Sequence, residues 1–168
     1  MTRRAAALGS AVFFAAAPGT VAGLVPWALT GWHAGHGFWP GLRILGGLLI
    51  LSGGVVLVRA FAEFALRGLG TPAPVAPTQH LVVQGPYRYV RNPIYLALLA
   101  VIVGQALLLG RPGLLAYALL VGAWVASFVL AYEEPTLSEQ FGAEYEAYRR
   151  AVPGWWPRIA PARRVPPA

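Results

Sequence analysis

Four apolar runs divide this chain, and they set its fold class before any motif is read. They extend roughly over Ala5–Leu29, Leu42–Ala62, Ile94–Leu109 and Leu114–Tyr132. A membrane-spanning helix needs about 20 apolar residues, and the first, second and fourth runs reach that length. The third has 16 residues, about 24 Å of helix, so it is expected to begin below the membrane surface. Only 11% of the chain is charged and 57% is hydrophobic, whereas a soluble domain carries about 25% charged residues. There is too little polar material to cover a water-facing globule. The expected fold is one all-α domain over residues 1–168, a bundle of four transmembrane helices with a cytoplasmic, amphipathic C-terminal helix.

The cations orient the bundle. All 13 are arginine, with no lysine. With the N-terminus in the cytoplasm, eleven of them fall on or near the inner side and only Arg43 and Arg111 outside. That matches the positive-inside bias of membrane proteins, so a multi-pass protein of the cell (inner) membrane is expected. The same bias accounts for the net charge of +7 without nucleic acid. Arg3-Arg4, an apolar core and Ala15-Ala16-Ala17 also fit a cleaved leader. The run continues past the usual leader core of about 7–15 residues, however, and reads better as a span. Cysteine is absent, which excludes disulfides, thiolate nucleophiles and Cys-ligated metals.

Pro18 and Pro26 should kink the first helix unless neighbours satisfy the carbonyls they free. Gly19-Thr20-Val21-Ala22-Gly23 fits a small-xxx-small packing pattern within the bundle. Arg67–Gln84 is the one long polar connection. Its Pro72, Pro74 and Pro77 favour an extended path, and Leu81-Val82-Val83 should anchor it to the membrane surface. Glu133–Arg150 reads as an amphipathic helix, with Leu137, Phe141, Tyr145 and Tyr148 at steps of 4, 4 and 3 along one face. The Pro-rich tail after Pro153 reads as irregular. His33 and His36 sit in a Trp-rich outer loop that fits the membrane interface better than a metal site.

Two polar blocks flank the hairpin made by the last two apolar runs. The first is Gly85-Pro86-Tyr87-Arg88-Tyr89-Val90-Arg91-Asn92-Pro93-Ile94-Tyr95 and the second is Tyr132-Glu133-Glu134-Pro135 with Phe141-Gly142-Ala143-Glu144-Tyr145. A hairpin returns both to the same side, the cytoplasmic one. An aromatic belt with Arg anchors explains the residue types in the first block, but not the Gly, Pro and Asn packed among them. Pro93 opens a helix whose N-terminal N–H groups suit an anionic or hydroxyl oxygen. Tyr87, Tyr89 and Tyr95 offer ring faces to an adenine or a cation. Glu133 and Glu134 stand at the end of the fourth run. They read either as functional acids near the membrane or as the start of the cytoplasmic helix, paired with Arg88 or Arg91.

These blocks resemble the membrane-integral methyltransferases that use S-adenosyl-L-methionine. That superfamily includes isoprenylcysteine carboxyl methyltransferases and phospholipid N-methyltransferases. The resemblance covers roughly Gly68–Pro157. From the prenylcysteine branch it implies donor contacts by Gln79, His80, Leu81, Val82, Tyr87, Asn92, Pro93, Ile94, Tyr95 and Glu133; the phospholipid branch adds the pair Glu133 and Glu134. Many prenylcysteine-type members have His at the Asn92 position, and Val129 stands where that branch keeps an Arg for the acceptor carboxylate. The implied activity is methyl transfer to a lipophilic acceptor drawn from the bilayer, with a lipid amine or another small lipophilic nucleophile favoured over a prenylcysteine carboxylate. The expected catalytic residues are Asn92, which with Glu133 would hold the donor, and Glu134; an amine acceptor must lose a proton, to Glu134 or to a water. An NADPH-dependent reductase and a non-catalytic protein on the same scaffold are the alternatives. A homo-oligomer is possible but nothing in the sequence points to one.

Overall fold

The computed structural model describes residues 3–35, 39–64, 66 and 80–162. Among these there is no strand. Helix α1 (Arg3–Gly19) runs through a π turn (Thr20–Leu24) into α2 (Val25–Thr30). Helix α3 is Pro40–Glu63 and α4 is Pro93–Leu109. Helix α5 (Gly113–Phe128) passes through a second π turn (Val129–Glu133) into α6 (Glu134–Ala151). Three helical stretches are long and apolar enough to cross a membrane: Leu8–Thr30, Pro40–Glu63 and Gly113–Ala151. Helix α4 is a shorter apolar helix of 17 residues.

Both π turns end two residues before a proline, Pro26 and Pro135. A π turn is a common answer to a missing i→i−4 donor. Pro26 lacks the N–H that would reach Ala22 O in an α-helix or Val21 O in a π-helix. Neighbouring helices supply both donors. Gln105 Nε2 of α4 donates to Ala22 O at 2.7 Å, and the Tyr117 hydroxyl of α5 donates to Val21 O at 2.9 Å. Gln105 Oε1 in turn accepts from Trp32 Nε1 at 3.2 Å. Leaving such buried groups unpaired costs about 1–3 kcal/mol each. The expected proline kink is thus accommodated by side chains of the bundle.

Helices α3 and α4 form the closest pair. A Cβ on Gly46 would stand 2.6 Å from Gly104 O, and one on Gly104 would stand 2.7 Å from Gly46 O. A methyl at either position would push the two backbones apart. The small residues expected at the helix interface, Gly19 and Gly23, do not play this part: a Cβ on Gly23 would meet nothing within 4 Å. The π turn shifts the helical phase, and Val21 and Ala22 pack on Leu98, Ile102 and Ala118 instead.

The α4–α5 hairpin closes at Gly110, which caps α4 in the left-handed conformation (φ 64°) that glycine adopts without steric cost. Helix α6 differs from the single regular helix expected over Glu133–Arg150. The chain does not stop at Tyr132 but continues helically out of α5, and it breaks later, at Gly142 (φ 50°, ψ −122°). The break keeps Tyr145 and Tyr148 in a buried cluster with Ala60, Val82, Tyr87 and Val152, against which Leu137 and Phe141 also pack. That cluster ties the end of α3, the 81–92 segment and α6 together.

The tail is ordered along the first polar block. Arg91 N donates to Pro153 O (2.9 Å), Asn92 N to Gly154 O (3.3 Å), Arg158 N to Tyr89 O (3.0 Å) and Ala162 N to Arg88 O (2.9 Å). Arg88 returns two guanidinium bonds to Ala162 O. The stretch has no helix or strand, as its prolines led us to expect, and backbone pairing to residues 88–92 holds it in place.

Candidate active site

A cavity of about 890 Å³ lies where the two polar blocks meet the bundle. Such a volume is within the range of small-molecule sites. Its polar end is built by the 81–95 segment and the second π turn. Leu81, Val82, Tyr87, Asn92, Pro93, Ile94, Tyr95 and Glu133 all contribute to the wall. His80 is exposed and does not, while Gln79 lies outside the described residues.

The central pair is Tyr95 and Glu133. Tyr95 sits in the first turn of α4, and its hydroxyl donates to Glu133 Oε2 at 2.7 Å. A hydrogen bond to an ionised carboxylate is about twice as strong as a neutral one. Because Glu133 ends the π turn, it is held in the wall of the cavity. Glu134 is placed differently and does not line the cavity. It accepts from Arg91 Nη1 at 2.8 Å and lies 3.7 Å from Arg149. Of the two cations anticipated as partners for these acids, Arg91 pairs with Glu134, while Arg88 bonds to the tail. The acids are also not at a free helix C-terminus, since α5 continues into α6.

Asn92 is buried, and its Nδ2 donates to Gly154 O at 3.1 Å. It lines the cavity and clamps the tail at once. Tyr87 is buried below it. Burial, with Tyr148 and Glu133 nearby, pushes the Tyr87 phenol well above its ordinary pKa, so it stays neutral. The Tyr148 hydroxyl donates to Tyr87 O at 2.8 Å, and Phe64 meets the Tyr87 ring edge-on at 5.5 Å.

The other end of the cavity is apolar and lies between α1 and α5. Phe13 and Ala17 line it from α1; Trp124 and Phe128 line it from α5. Trp124, Phe128 and Tyr132 form a ladder of rings, with centroids 5.7 and 5.2 Å apart. Leu120 and Trp124 line the cavity yet are 71% and 66% exposed on the surface of the bundle. The cavity therefore opens sideways between α1 and α5. Val129 is fully buried at 1% exposure and is not part of the wall.

A family model of phospholipid methyltransferases matches residues 42–144, well over half of the chain. The chain belongs to the phospholipid methyltransferase family. The match covers α3 from its third residue, the Gly85–Tyr95 block, the α4–α5 hairpin and both glutamates, and it ends before Tyr145. With its apolar helices, this phospholipid methyltransferase family member is a membrane methyltransferase in type. No curated protein and no solved structure matched the chain. Sequence reasoning missed several wall residues in this family member, namely Phe13, Ala17, Trp124 and Phe128, since apolar residues on a lipid-facing helix carry no mark of the side they will line. Arg91, which pairs with Glu134, and Tyr145, whose hydroxyl accepts from Arg91, were visible as residues but not as a unit.

Proposed function

We propose that this protein transfers a methyl group from S-adenosylmethionine to a lipophilic acceptor, with a lipid amine the favoured class. The observation that carries the reading is one cavity joining the Tyr95–Glu133 pair to an apolar opening between α1 and α5. A soluble donor and a membrane-dissolved acceptor need such a chamber. The residues fit the donor in chemistry. Glu133 offers a carboxylate to a sulfonium or ammonium cation, Tyr87 and Tyr95 offer ring faces, and Asn92 offers an amide. When bound, S-adenosylmethionine supplies an electrophilic methyl group.

The chain's part is alignment, exclusion of water and removal of a proton. Phe13, Trp124 and Phe128 wall the opening with apolar surface. The acceptor slides in from the bilayer between α1 and α5, its reactive atom directed to Glu133. An amine acceptor must lose a proton on methylation, and Glu133 is the carboxylate in the wall that takes it. Glu134, locked by Arg91, holds the loop instead. In this reading four helices cross the membrane, with α4 the short one, and the helix after Glu134 lies along the cytoplasmic surface. The polar end then faces the cytoplasm of a cell-membrane protein, the side from which the donor comes. Isothermal titration with S-adenosylhomocysteine tests the donor assignment. Binding that is lost in Glu133→Ala is expected; no binding to the folded wild-type protein would refute it.

A further inference from the structure

Among the described residues, the cavity wall carries two charged side chains, Glu133 and Arg91. Glu133 has a role in the reading above and Arg91 does not. Its side chain is only 13% exposed. Its hydrogen bonds leave from one nitrogen, Nη1, to Glu134 Oε1 at 2.8 Å and to the Tyr145 hydroxyl at 3.0 Å. Nε is buried and has no partner among the described residues. A buried N–H without a partner is rare in native structures and calls for a cause. Glu134 is also shared with Arg149, so it does not belong to Arg91 alone.

Two further features mark the place. Gly154 has no side chain beside the guanidinium: a Cβ there would stand 3.1 Å from Arg91 Nη2 and 3.7 Å from Asn92 Nδ2. The Arg91 guanidinium and the Asn92 side-chain amide thus stand close together beside a glycine, and both residues line the cavity. The clamp on Nη1 fixes the plane of the guanidinium, and its Nε–Nη2 edge is the fork that matches a carboxylate or phosphate with two parallel bonds.

We infer that Arg91, with the Asn92 amide, forms a subsite for an anionic oxygen at the polar end of the cavity, taking a carboxylate or a phosphate. Two ligands could bring that group: the amino-acid end of the methyl donor, or the phosphodiester of a phospholipid acceptor. The subsite is opposite in sign to Glu133, so the pair would orient a ligand carrying both charges. The first source rests on the donor reading above.

The test compares S-adenosylhomocysteine with 5′-methylthioadenosine, which keeps the adenosine and the thioether but lacks the amino-acid end. The protein is the full chain, wild type and Arg91→Gln/Glu134→Gln, which removes both members of the ion pair together. Arg91→Lys, which keeps the charge toward Glu134 but loses the fork, is the second variant. The expected result is a tenfold or greater loss of S-adenosylhomocysteine affinity in both variants, with 5′-methylthioadenosine affinity changed less than threefold. The phosphate source is tested by initial rates against dioleoylphosphatidylethanolamine and oleylamine. A tenfold rise in KM for the phospholipid alone, with both nucleoside affinities unchanged, assigns the subsite to the acceptor. Equal losses for both nucleosides, or no change in any of these measurements, would overturn the inference and leave Arg91 a structural clamp. If wild type binds neither nucleoside, the donor reading fails by itself, and direct binding of dioleoylphosphatidylethanolamine and oleylamine decides the subsite: a tenfold loss for the phospholipid alone in both variants supports it, and no loss overturns it.

Discussion

Removing one oxygen, in Tyr95→Phe, isolates the central contact of the site. The ring keeps its place in the first turn of α4, and only the hydroxyl that donates to Glu133 Oε2 at 2.7 Å is lost. A hydrogen bond to a charged group contributes about 1.5–3 kcal/mol, and the short distance favours the upper half of that range. One factor of ten corresponds to about 1.4 kcal/mol. The loss should therefore be between about 40-fold and about 140-fold in the step that needs an oriented Glu133 carboxylate. Tyr95 is on the cavity wall and outside the buried cluster of Tyr87, Tyr145 and Tyr148, so folding should be little affected. The assay is titration of S-adenosylhomocysteine in detergent, with methyl-transfer rates on the same preparation and a thermal melt as control. A variant with wild-type affinity and wild-type rate would show that the Tyr95–Glu133 bond has no part in function.

Three other changes probe separate parts of the account. Gln105→Leu removes the donor to Ala22 O and the acceptor for Trp32; it should cost about 1–3 kcal/mol, seen as a lower melting temperature with unchanged S-adenosylhomocysteine affinity. Gly142→Ala forces a side chain onto a backbone at φ 50°, ψ −122°, which should cost about 1–3 kcal/mol and weaken donor binding by loosening Tyr145 and Tyr148. Trp124→Ala cuts the ring ladder at the lateral opening and should raise KM for a lipid acceptor several-fold while leaving donor affinity alone; a change confined to donor affinity would move the opening elsewhere.

Much of this architecture was legible in the sequence because it follows from hydropathy and proline chemistry. The apolar runs predicted α3 and α4 to within two residues at each end. The return of both polar blocks to one end needed only a hairpin, and Tyr95 and Glu133 do meet there. The relative placing of Glu133 and Glu134 was not legible. Adjacent residues on an α-helix point about 100° apart, so one acid faces the cavity only if the helical phase is known. The π turn over Val129–Glu133 resets that phase, and hydropathy and spacing do not reveal it, even with Pro135 two residues on. The same limit applies to Val129, which is buried and not on the cavity wall. The proposed acceptor preference rests on the wall, which among the described residues presents one carboxylate and one arginine. The tail from Val152 to Ala162 has no side-chain periodicity, and its order comes from backbone bonds to residues 88–92.

The most direct measurement is transfer of a labelled methyl group from S-adenosylmethionine to a bilayer lipid extract by the purified protein in liposomes. The account predicts label in the organic phase, carried on an amine-bearing lipid, and lost in Glu133→Ala, with Glu134→Gln retaining S-adenosylhomocysteine binding. Absence of label in every lipid class, from protein that melts cooperatively and binds no S-adenosylhomocysteine, would contradict it.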